Sequence, residues 1–188
     1  MPVEEEWEGL VRPYEALREL GLGPGMVIAD LGCGYGTFSI PAAQIVGSKG
    51  KVYAMDIDRE MVKRVRERAR RANLANVETL VGDMNSPRRS VIPGLPMGVS
   101  DFVFLVNVIH GTRDKIGLLR RAASIARPGG TVVIMNWKVA ETPRGPPMKM
   151  RPRPEQIILL AVRAGLTNPK ILDIPPYHYA VVAHRPGL

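Results

Sequence analysis

Three glycines, Gly32, Gly34 and Gly36, stand where an apolar, strand-like run gives way to a helical pattern. Glycine has no Cβ, so at a strand-to-helix turn it lets the backbone approach a ligand closely. The spacing differs from the dinucleotide fingerprint, whose third glycine falls at the sixth position, where this chain has Thr37. The turn therefore predicts a ligand platform that is not an NAD site, the alternative being a purely structural turn.

Two carboxylates follow at the ends of the next two predicted strands. Asp56 closes the second strand and Asp83 follows the third. A carboxylate at the end of a second strand can accept hydrogen bonds from both hydroxyls of a ribose, and one after the third strand can accept from the exocyclic amine of adenine. Either residue alone could cap the next helix or turn instead, since Asp is favoured there. Together they indicate a nucleoside.

The elements that must position these residues alternate between short β-branched runs and helical patterns, which is typical of βαβ units and a mostly parallel sheet. Strands are predicted at 26–31, 51–55, 77–81, 101–108 and 130–137, helices at 38–46, 59–73, 115–126 and 155–164, a helix stop at 127–130, and a proline-rich loop at 138–154. Two final strands, 169–174 and 177–184, are joined by too few residues for a parallel crossover, so they must be antiparallel.

Length and composition bound the class of protein. With 188 residues, 45% of them hydrophobic, the chain can bury one ordinary core, so residues 1–188 are predicted to form a single domain. No apolar run reaches the roughly 18–20 residues that span a bilayer, and the acids Glu4, Glu5 and Glu6 are unlike the basic start of a secretory signal. With one cysteine, Cys33, these features predict a cytoplasmic protein without membrane insertion.

The charge is distributed unevenly along the chain. Residues 1–60 carry a net charge of −5 and residues 61–188 a net charge of +13, which together give the +8 of the whole chain. A basic field can steer an anionic substrate or nucleic acid, but it is also common on solvated helices. The charge alone leaves both interpretations open.

Taken in order, the motifs resemble those of the class I S-adenosylmethionine-dependent methyltransferases. The stretches that carry the resemblance span nearly the whole chain: residues 30–36, Tyr53-Ala54-Met55-Asp56, Val81-Gly82-Asp83-Met84 and Arg127-Pro128-Gly129-Gly130. The resemblance implies an α/β, Rossmann-like methyltransferase fold, a doubly wound, mostly parallel seven-stranded sheet with an antiparallel last strand. The segment from Asn136 to Pro147 resembles the small-molecule branch related to quinone and sterol methyltransferases (methyltransferase type 11), without their longer N-terminal cap.

The resemblance also implies how S-adenosylmethionine, and its product S-adenosylhomocysteine, would be held. The implied cofactor-binding residues are Asp30, Gly32, Cys33, Gly34, Gly36, Asp56, Ile57, Asp83, Met84 and Asn107. In that arrangement the three glycines cradle the methionine part and Asp30 lies near its amino group. Asp56 holds the ribose and Ile57 packs on the adenine. Asp83 and the Met84 backbone read the adenine edge.

Chemistry is expected at the carboxyl ends of the strands, where Asn107 and His110 are the candidate catalytic residues. The sulfonium already activates the methyl group, so the protein must align a nucleophile and exclude water, with neither a metal nor a covalent residue. His110 is a candidate general base, because an imidazole pKa near 6.5 suits deprotonation at neutral pH, or else a hydrogen-bonded structural residue. Cys33 is predicted to be a buried small residue, and His178 and His184 are interpreted as ordinary strand residues.

The acceptor is predicted to be a small molecule, and basic loops suggest an anionic one as a hypothesis. The basic residues expected to border the reacting face are Arg88, Arg89, Lys138, Arg144, Lys149, Arg151 and Arg153. One rival is an RNA methyltransferase, although no aromatic residues are interleaved with the basic ones for base stacking. Another is a regulator that binds the cofactor without turnover. The oligomeric state is left open, with a homodimer as one alternative.

Overall fold

The computed structural model describes residues 9–85 and 94–187. Its elements, in chain order, are α1 (Pro13–Glu19), β1 (Val27–Leu31), α2 (Ser39–Val46), β2 (Lys51–Asp56), α3 (Arg59–Arg71), β3 (Val77–Val81), β4 (Ser100–Val106), α4 (Lys115–Ile125), β5 (Ala126–Trp137), α5 (Pro154–Arg163), β6 (Thr167–Ile174) and β7 (His178–His184). Short 3₁₀ turns lie at Ile109–Gly111 and Met148–Met150. None of the helices in these ranges is long and apolar enough to cross a membrane.

The strands form one seven-stranded sheet in the order β3-β2-β1-β4-β5-β7-β6. The first five strands are parallel, whereas β7 runs antiparallel to both β5 and β6. The predicted fold class and the antiparallel final pair are therefore confirmed. Because β1 lies between β2 and β4, the chain reverses direction across the sheet at β1, and open α/β sheets bind ligands at the carboxyl ends of strands at such a switch point.

Both faces of the sheet are buried, and successive side chains of each strand point alternately to one face and the other. On β4, Phe102 and Phe104 join a core beneath α1 and α2, while Val103 and Leu105 join the core beneath α4 and α5. Burial on both faces explains why the parallel strands read as continuous apolar runs rather than alternating ones. The carboxyl ends of β1, β2, β4 and β5 consequently share one edge of a rigid layer.

Helix α3 fixes the position of the second and third strands. Val62, Val65 and Ala69 form its buried stripe, and the Asp58 side chain caps it by accepting a hydrogen bond from the Glu60 amide at 2.8 Å. The remaining face is rich in arginine. This amphipathic pattern confirms the predicted helix, which ends two residues earlier than expected.

Element boundaries near glycine and asparagine differ from the predictions. Strand β4 ends at Val106, not at residue 108, because Asn107 adopts a left-handed conformation with φ of 55°. Helix α4 does end before Arg127, but β5 already begins at Ala126, since residues 127–130 bulge out between two paired positions. A Cβ at Gly130 would lie 2.8 Å from the Arg127 carbonyl oxygen, so this bulge requires glycine.

Three further differences concern chain ends and loops. Helix α1 was not predicted, and β6 begins two residues earlier than expected, at Thr167. The proline-rich loop is confirmed except for the 3₁₀ turn Met148–Met150 and the first residue of α5, Pro154, which the prediction left in the loop. Proline lacks the amide hydrogen that a first-turn position does not need, so it is well suited to start α5.

Candidate functional site

The glycine turn after β1 is held against the end of β2 by its own backbone. The amides of Gly32 and Cys33 both donate to the Met55 carbonyl oxygen, at 2.8 and 2.9 Å. Gly32 has φ of 83°, and a Cβ there would lie 2.7 Å from Val108 Cγ2. Only glycine therefore fits this position. By contrast, a Cβ at Gly34 would meet no atom within 4 Å, so the backbone of Gly34 faces open space.

Asp56 joins the second strand to the glycine turn. Its Oδ2 accepts a hydrogen bond from the Gly34 amide at 2.9 Å, and its Oδ1 accepts one from the Asp58 amide at 3.0 Å. The carboxylate is half-buried and retains lone pairs for further donors. The structure thus brings two of the predicted residues, Gly34 and Asp56, into direct contact at the carboxyl edge of the sheet.

Asp30 is a buried carboxylate at the end of β1. Its side chain is 2% exposed, and Oδ2 accepts a hydrogen bond from the Ser39 hydroxyl at 2.5 Å. Burial raises its pKa to about 6; the Ser39 hydrogen bond opposes the shift and the nearby charge of Asp56 adds to it. A cationic group entering the crevice would favour the ionised form of Asp30.

A cavity of about 230 Å³ opens beside the glycine turn on the α2 side of the sheet. Five of the predicted residues line it, together with four that were not predicted. The lining residues are Asp30, Gly32, Cys33, Gly34, Tyr35, Thr37, Phe38, Val106 and Asn107. Phe38 and Thr37 directly follow the glycine turn, so their proximity in sequence to Gly36 was the signal that could have found them.

The predicted adenine side lies next to this cavity rather than in its lining. Asp83 and Met84 follow β3, whose last residue pairs with Asp56, and the Gly82 amide donates to the Asp56 carbonyl oxygen at 3.0 Å. Met84 is buried, and its Cε lies 3.0 Å from the point a Gly32 Cβ would occupy. The exposed Asp83 accepts a hydrogen bond from the Asn85 amide at 2.8 Å, which leaves its other carboxylate oxygen available.

Three other predicted residues differ in their surroundings. Ile57 is 63% exposed, an unusual exposure for a large apolar side chain directly after Asp56. Gly36 faces Val65 of α3, 3.1 Å from a Cβ built on it, so close helix packing already requires a small residue there. Cys33 is buried, as predicted, and burial raises the pKa of its thiol. A thiol held in its neutral form is a poor nucleophile.

Asn107 and His178 form a pair that the sequence did not reveal. Asn107 lines the cavity, and its Nδ2 lies 3.2 Å from His178 Nε2. The His178 ring packs against Trp137, with ring centroids 4.2 Å apart. His178 does lie on a strand, as interpreted, but it is buried and contacts a residue that lines the cavity. His184 contacts the Thr131 hydroxyl at the far end of β7.

His110 lies in the 3₁₀ turn that follows β4. It is half-buried, and burial lowers the pKa of its imidazole, an effect to which the positive charge of Lys115 adds. A lowered pKa keeps the ring neutral at physiological pH, which is the form a general base needs. His110 is not among the residues that line the cavity beside the glycine turn.

Several of the basic residues after β5 form hydrogen bonds or ion pairs within the protein. Arg151 donates to the carbonyl oxygens of Pro146, Lys138 and Ala140 and to the Thr142 hydroxyl. Lys138 pairs with Asp173 at 2.6 Å. Lys149 is exposed, Arg144 has a partner of its own, and the Arg153 backbone amide donates to the Gln156 side chain at the start of α5. Arg88 and Arg89 lie outside the described residues.

A second cavity, of about 470 Å³, lies between this loop, β6 and the start of α5. Its charged lining residues are balanced: Lys138 and Arg153 against Glu155 and Asp173. Tyr179 closes one side, with its hydroxyl donating to the Pro152 carbonyl oxygen at 2.6 Å. This cavity carries no excess of positive charge.

The sheet order, the antiparallel β7 and the glycine crevice with its two carboxylates define the class I methyltransferase fold. The family model described as a methyltransferase domain matches residues 22–157. The chain therefore belongs to the methyltransferase domain family. The resemblance inferred from the motifs is confirmed at the level of family and fold.

Comparison with individual proteins agrees with this assignment. A solved structure, an S-adenosylmethionine-dependent methyltransferase from Aquifex aeolicus, is 30% identical with a TM-score of 0.84, covering 95% of this chain and 92% of that one. Aklanonic acid methyltransferase from Streptomyces sp. strain C5 is 33% identical over 57% of this chain and 46% of its own length. Demethylmenaquinone methyltransferase from Geobacillus sp. strain WCH70 is 25% identical over 64% of this chain and 49% of its own length.

Relatives that act on RNA match over a shorter segment. A 23S rRNA (uracil(1939)-C(5))-methyltransferase from Xylella fastidiosa is 42% identical over 74 residues, which is 39% of this chain and 16% of that protein. The chain spans about half the length, or less, of the curated relatives it matches.

Proposed function

We propose that this chain is an enzyme that transfers the methyl group of S-adenosylmethionine to a small-molecule acceptor, in a single domain and in the cytoplasm. The observation that carries the proposal is the contact between Asp56 and the Gly34 amide beside the buried Asp30. It brings a ribose-binding carboxylate, an exposed backbone turn and an anion for a cationic group to one edge of the sheet. These are the features that an adenosine bearing a charged amino-acid tail requires.

The residues of the crevice fit this cofactor. Gly34 faces open space where a side chain would intrude, and the carboxylates of Asp56 and Asp83 have unused acceptor capacity. Asp30, Gly32 and Gly34 would hold the methionine part, Asp56 the ribose, and Ile57, Asp83 and Met84 the adenine. The bound cofactor supplies a sulfonium methyl group that needs no further activation.

The protein's own residues would then position the acceptor and manage its proton. Asn107 stands at the carboxyl end of β4 beside the cavity, and the neutral His110 follows three residues later. In this proposal His110 accepts the proton that the acceptor atom loses as it is methylated. Alignment of the two reactants in a site that excludes water accounts for the rest of the rate enhancement.

The acceptor is proposed to be a small molecule, as in the aklanonic acid and demethylmenaquinone enzymes. Support for an anionic acceptor is weak, because Lys138 and Arg151 bind other groups of the protein and the second cavity is balanced in charge. An RNA acceptor is supported by the short match to an rRNA methyltransferase and by the arginine-rich helix α3. The basic residues of α3 are not interleaved with aromatic residues on which RNA bases could stack.

Two measurements on the purified chain test the proposal. Calorimetry should show one site for S-adenosylhomocysteine, and a panel of small phenols, carboxylic acids, quinols and amines should include one that takes up labelled methyl from S-adenosylmethionine. Absence of cofactor binding would refute the assignment. Binding without transfer to any member of the panel or to RNA would favour the regulator, and salt-sensitive transfer to RNA alone would favour the RNA enzyme.

A further inference from the structure

Asn107 is held in an uncommon backbone conformation at the mouth of the cofactor cavity. Its φ of 55° turns the chain sharply after β4, while its backbone amide donates to the Met135 carbonyl oxygen at 2.9 Å. Asparagine tolerates this left-handed region better than most residues, and Asn73 and Asn168 adopt it too. The conformation places the Asn107 side chain on the α1/α2 face of the sheet, where His178 lies.

The two ends of the Asn107 carboxamide differ in what they contact. Nδ2 lies 3.2 Å from His178 Nε2, whereas Oδ1 is buried and has no hydrogen-bond partner within residues 9–85 and 94–187. A buried acceptor without a donor is unfavourable, and such groups need an explanation. Asn107 lines the same cavity as Asp30.

The position of the His178 ring is constrained by burial and by its contact with Trp137, so the ring can orient the Asn107 carboxamide. It is 1% exposed, it pairs with Trp137 across β5 and β7, and the two rings are in contact. Burial lowers the pKa of His178 to about 4; the neighbouring Leu10 backbone opposes this shift, and Lys138 and Arg151 reinforce it. The ring is therefore neutral at pH 7. Nδ1 is buried and makes no hydrogen bond of normal geometry within the described residues. In the tautomer that carries its proton on Nδ1, the ring offers Nε2 as an acceptor, and the NH₂ end of Asn107 must then face it.

We infer that His178 is a positioning residue, which turns the Asn107 carboxamide so that Oδ1 accepts a hydrogen bond from the ammonium group of the cofactor's methionine part. Asn107 and Asp30 both line the cavity in which that group would lie. Without the imidazole, the amide can rotate and present its NH₂ end, which repels a cation. The inference rests on the proposed function, since it concerns how the same cofactor is held.

The test compares ligands that differ in the ammonium group. S-adenosylhomocysteine and decarboxylated S-adenosylmethionine both carry it, whereas 5′-methylthioadenosine lacks it. His178→Phe keeps a ring against Trp137 but removes the acceptor nitrogen, and it should weaken binding of the first two ligands by about tenfold. Binding of 5′-methylthioadenosine should change by less than about twofold, because a hydrogen bond it never made cannot be lost.

Three further variants separate orientation from folding. His178→Gln restores a side-chain acceptor and should recover most of the affinity. Asn107→Ala should weaken the same two ligands as much as His178→Phe does, and the double variant should show little further loss, because both changes remove one hydrogen bond. His184→Phe makes the same replacement at the far end of β7 and should leave all three affinities unchanged.

The inference is overturned if His178→Phe leaves S-adenosylhomocysteine binding unchanged, or weakens all three ligands equally. Should that variant fail to fold, nitrogen-15 spectra of the wild-type chain decide: a proton on Nδ1 of His178 supports the inference, and a proton on Nε2 refutes it. Failure of the wild-type chain to bind any of the three ligands overturns the proposed function, and this inference with it.

Discussion

The two halves of the crevice differ in how their polar groups are satisfied. On the proposed cofactor half, after β1 to β3, the protein already pairs them: the amides of Gly32 and Cys33 with Met55, the amide of Gly34 with Asp56, and the hydroxyl of Ser39 with Asp30. On the proposed acceptor half, at the carboxyl ends of β4 and β5, Asn107 Oδ1 and both polar atoms of the buried Asn136 have no partner in the described part of the chain.

This difference shows which half is formed before a ligand arrives. A turn fixed by backbone hydrogen bonds loses little entropy when it binds, so the cofactor half is preorganised. Each unpaired buried group on the acceptor half costs about 1–3 kcal/mol until a ligand or a water satisfies it. We therefore expect variants of the cofactor half to alter affinity. On the acceptor half, the Asn107–His178 pair should also alter affinity, because we infer that its amide contacts the cofactor. Variants of His110 and Asn136 should instead alter turnover or stability and leave cofactor affinity intact.

His110→Ala should separate the rate of methyl transfer from cofactor affinity more clearly than any other variant. Removal of a general base is expected to lower the rate of methyl transfer by about 100-fold or more, while the dissociation constant for S-adenosylhomocysteine stays within about twofold. Single-turnover rates measure the first quantity and calorimetry the second. If both are unchanged, His110 is a structural residue.

Asp56→Ala should have the largest effect on the cofactor half. Loss of the carboxylate removes the acceptor for the ribose and the partner of the Gly34 amide, at a cost of roughly 1–3 kcal/mol, or about 5- to 150-fold in affinity. Asp58→Ala is the matched control, because Asp58 lies two residues away and only caps α3. Equal affinity in the Asp56 variant and the wild-type chain, measured by calorimetry, would defeat the assignment.

Asp30 should make cofactor binding depend on pH. With a pKa of about 6 in the ligand-free protein, Asp30 is mostly protonated at pH 5 and mostly ionised at pH 7, so the affinity for the cationic tail should rise about tenfold across this range. Asp30→Asn should abolish this dependence. If cofactor affinity still rises with pH in Asp30→Asn, another group is responsible for the titration.

The titration of Asp30 should also change the stability of the folded chain. Stability should fall as the pH rises, whereas cofactor affinity should rise. The folded-state pKa of Asp30 is raised above its ordinary 3.8, so between about pH 4 and pH 6 the folded chain retains a proton that the unfolded chain has released. The contribution of Asp30 to the free energy of unfolding is therefore greatest below pH 4 and declines as the pH rises to about 6. Urea titrations of ligand-free wild type and Asp30→Asn at pH 5 and pH 7 measure this difference.

Two glycines of the same turn separate folding from binding. Gly34→Ala should lower cofactor affinity by about five- to tenfold with a stability loss of only about 1 kcal/mol, since its Cβ enters open space. Gly32→Ala should destabilise the chain by more, because its Cβ lies 2.7 Å from Val108 Cγ2. Thermal unfolding and calorimetry on both variants give the comparison, and similar stability losses would contradict it.

The sequence predicted the cofactor half better than the acceptor half for a physical reason. Gly34 and Asp56 meet because they end adjacent parallel strands whose order follows from a short βαβ unit. Asn107 and His178 are 71 residues apart, and their contact depends on the left-handed turn at Asn107 and on the register of an antiparallel hairpin. Neither a single left-handed asparagine nor a strand register leaves a periodic signal in the sequence.

The bulge at the start of β5 also shows what the sequence alone does not reveal. Gly129 and Gly130 read as a helix stop, and α4 does end nearby, at Ile125. That a Cβ at Gly130 would collide with two carbonyl oxygens, those of Arg127 and Ser100, is a tertiary fact that only the pairing of β4 with β5 creates. Turn signals in the sequence locate such a glycine, but they do not show which strand it packs against.

The smallest expected effect is at Asn136, which tests the acceptor half directly. Leucine is close in shape and leaves no buried polar atom without a partner, so Asn136→Leu should raise the free energy of unfolding by about 1 kcal/mol. Cofactor affinity should be unchanged, because Asn136 is not among the residues that line the cavity beside the glycine turn. Destabilisation instead would mean that bound water already satisfies the amide. The acceptor half would then be as preorganised as the cofactor half, and the contrast between them would disappear.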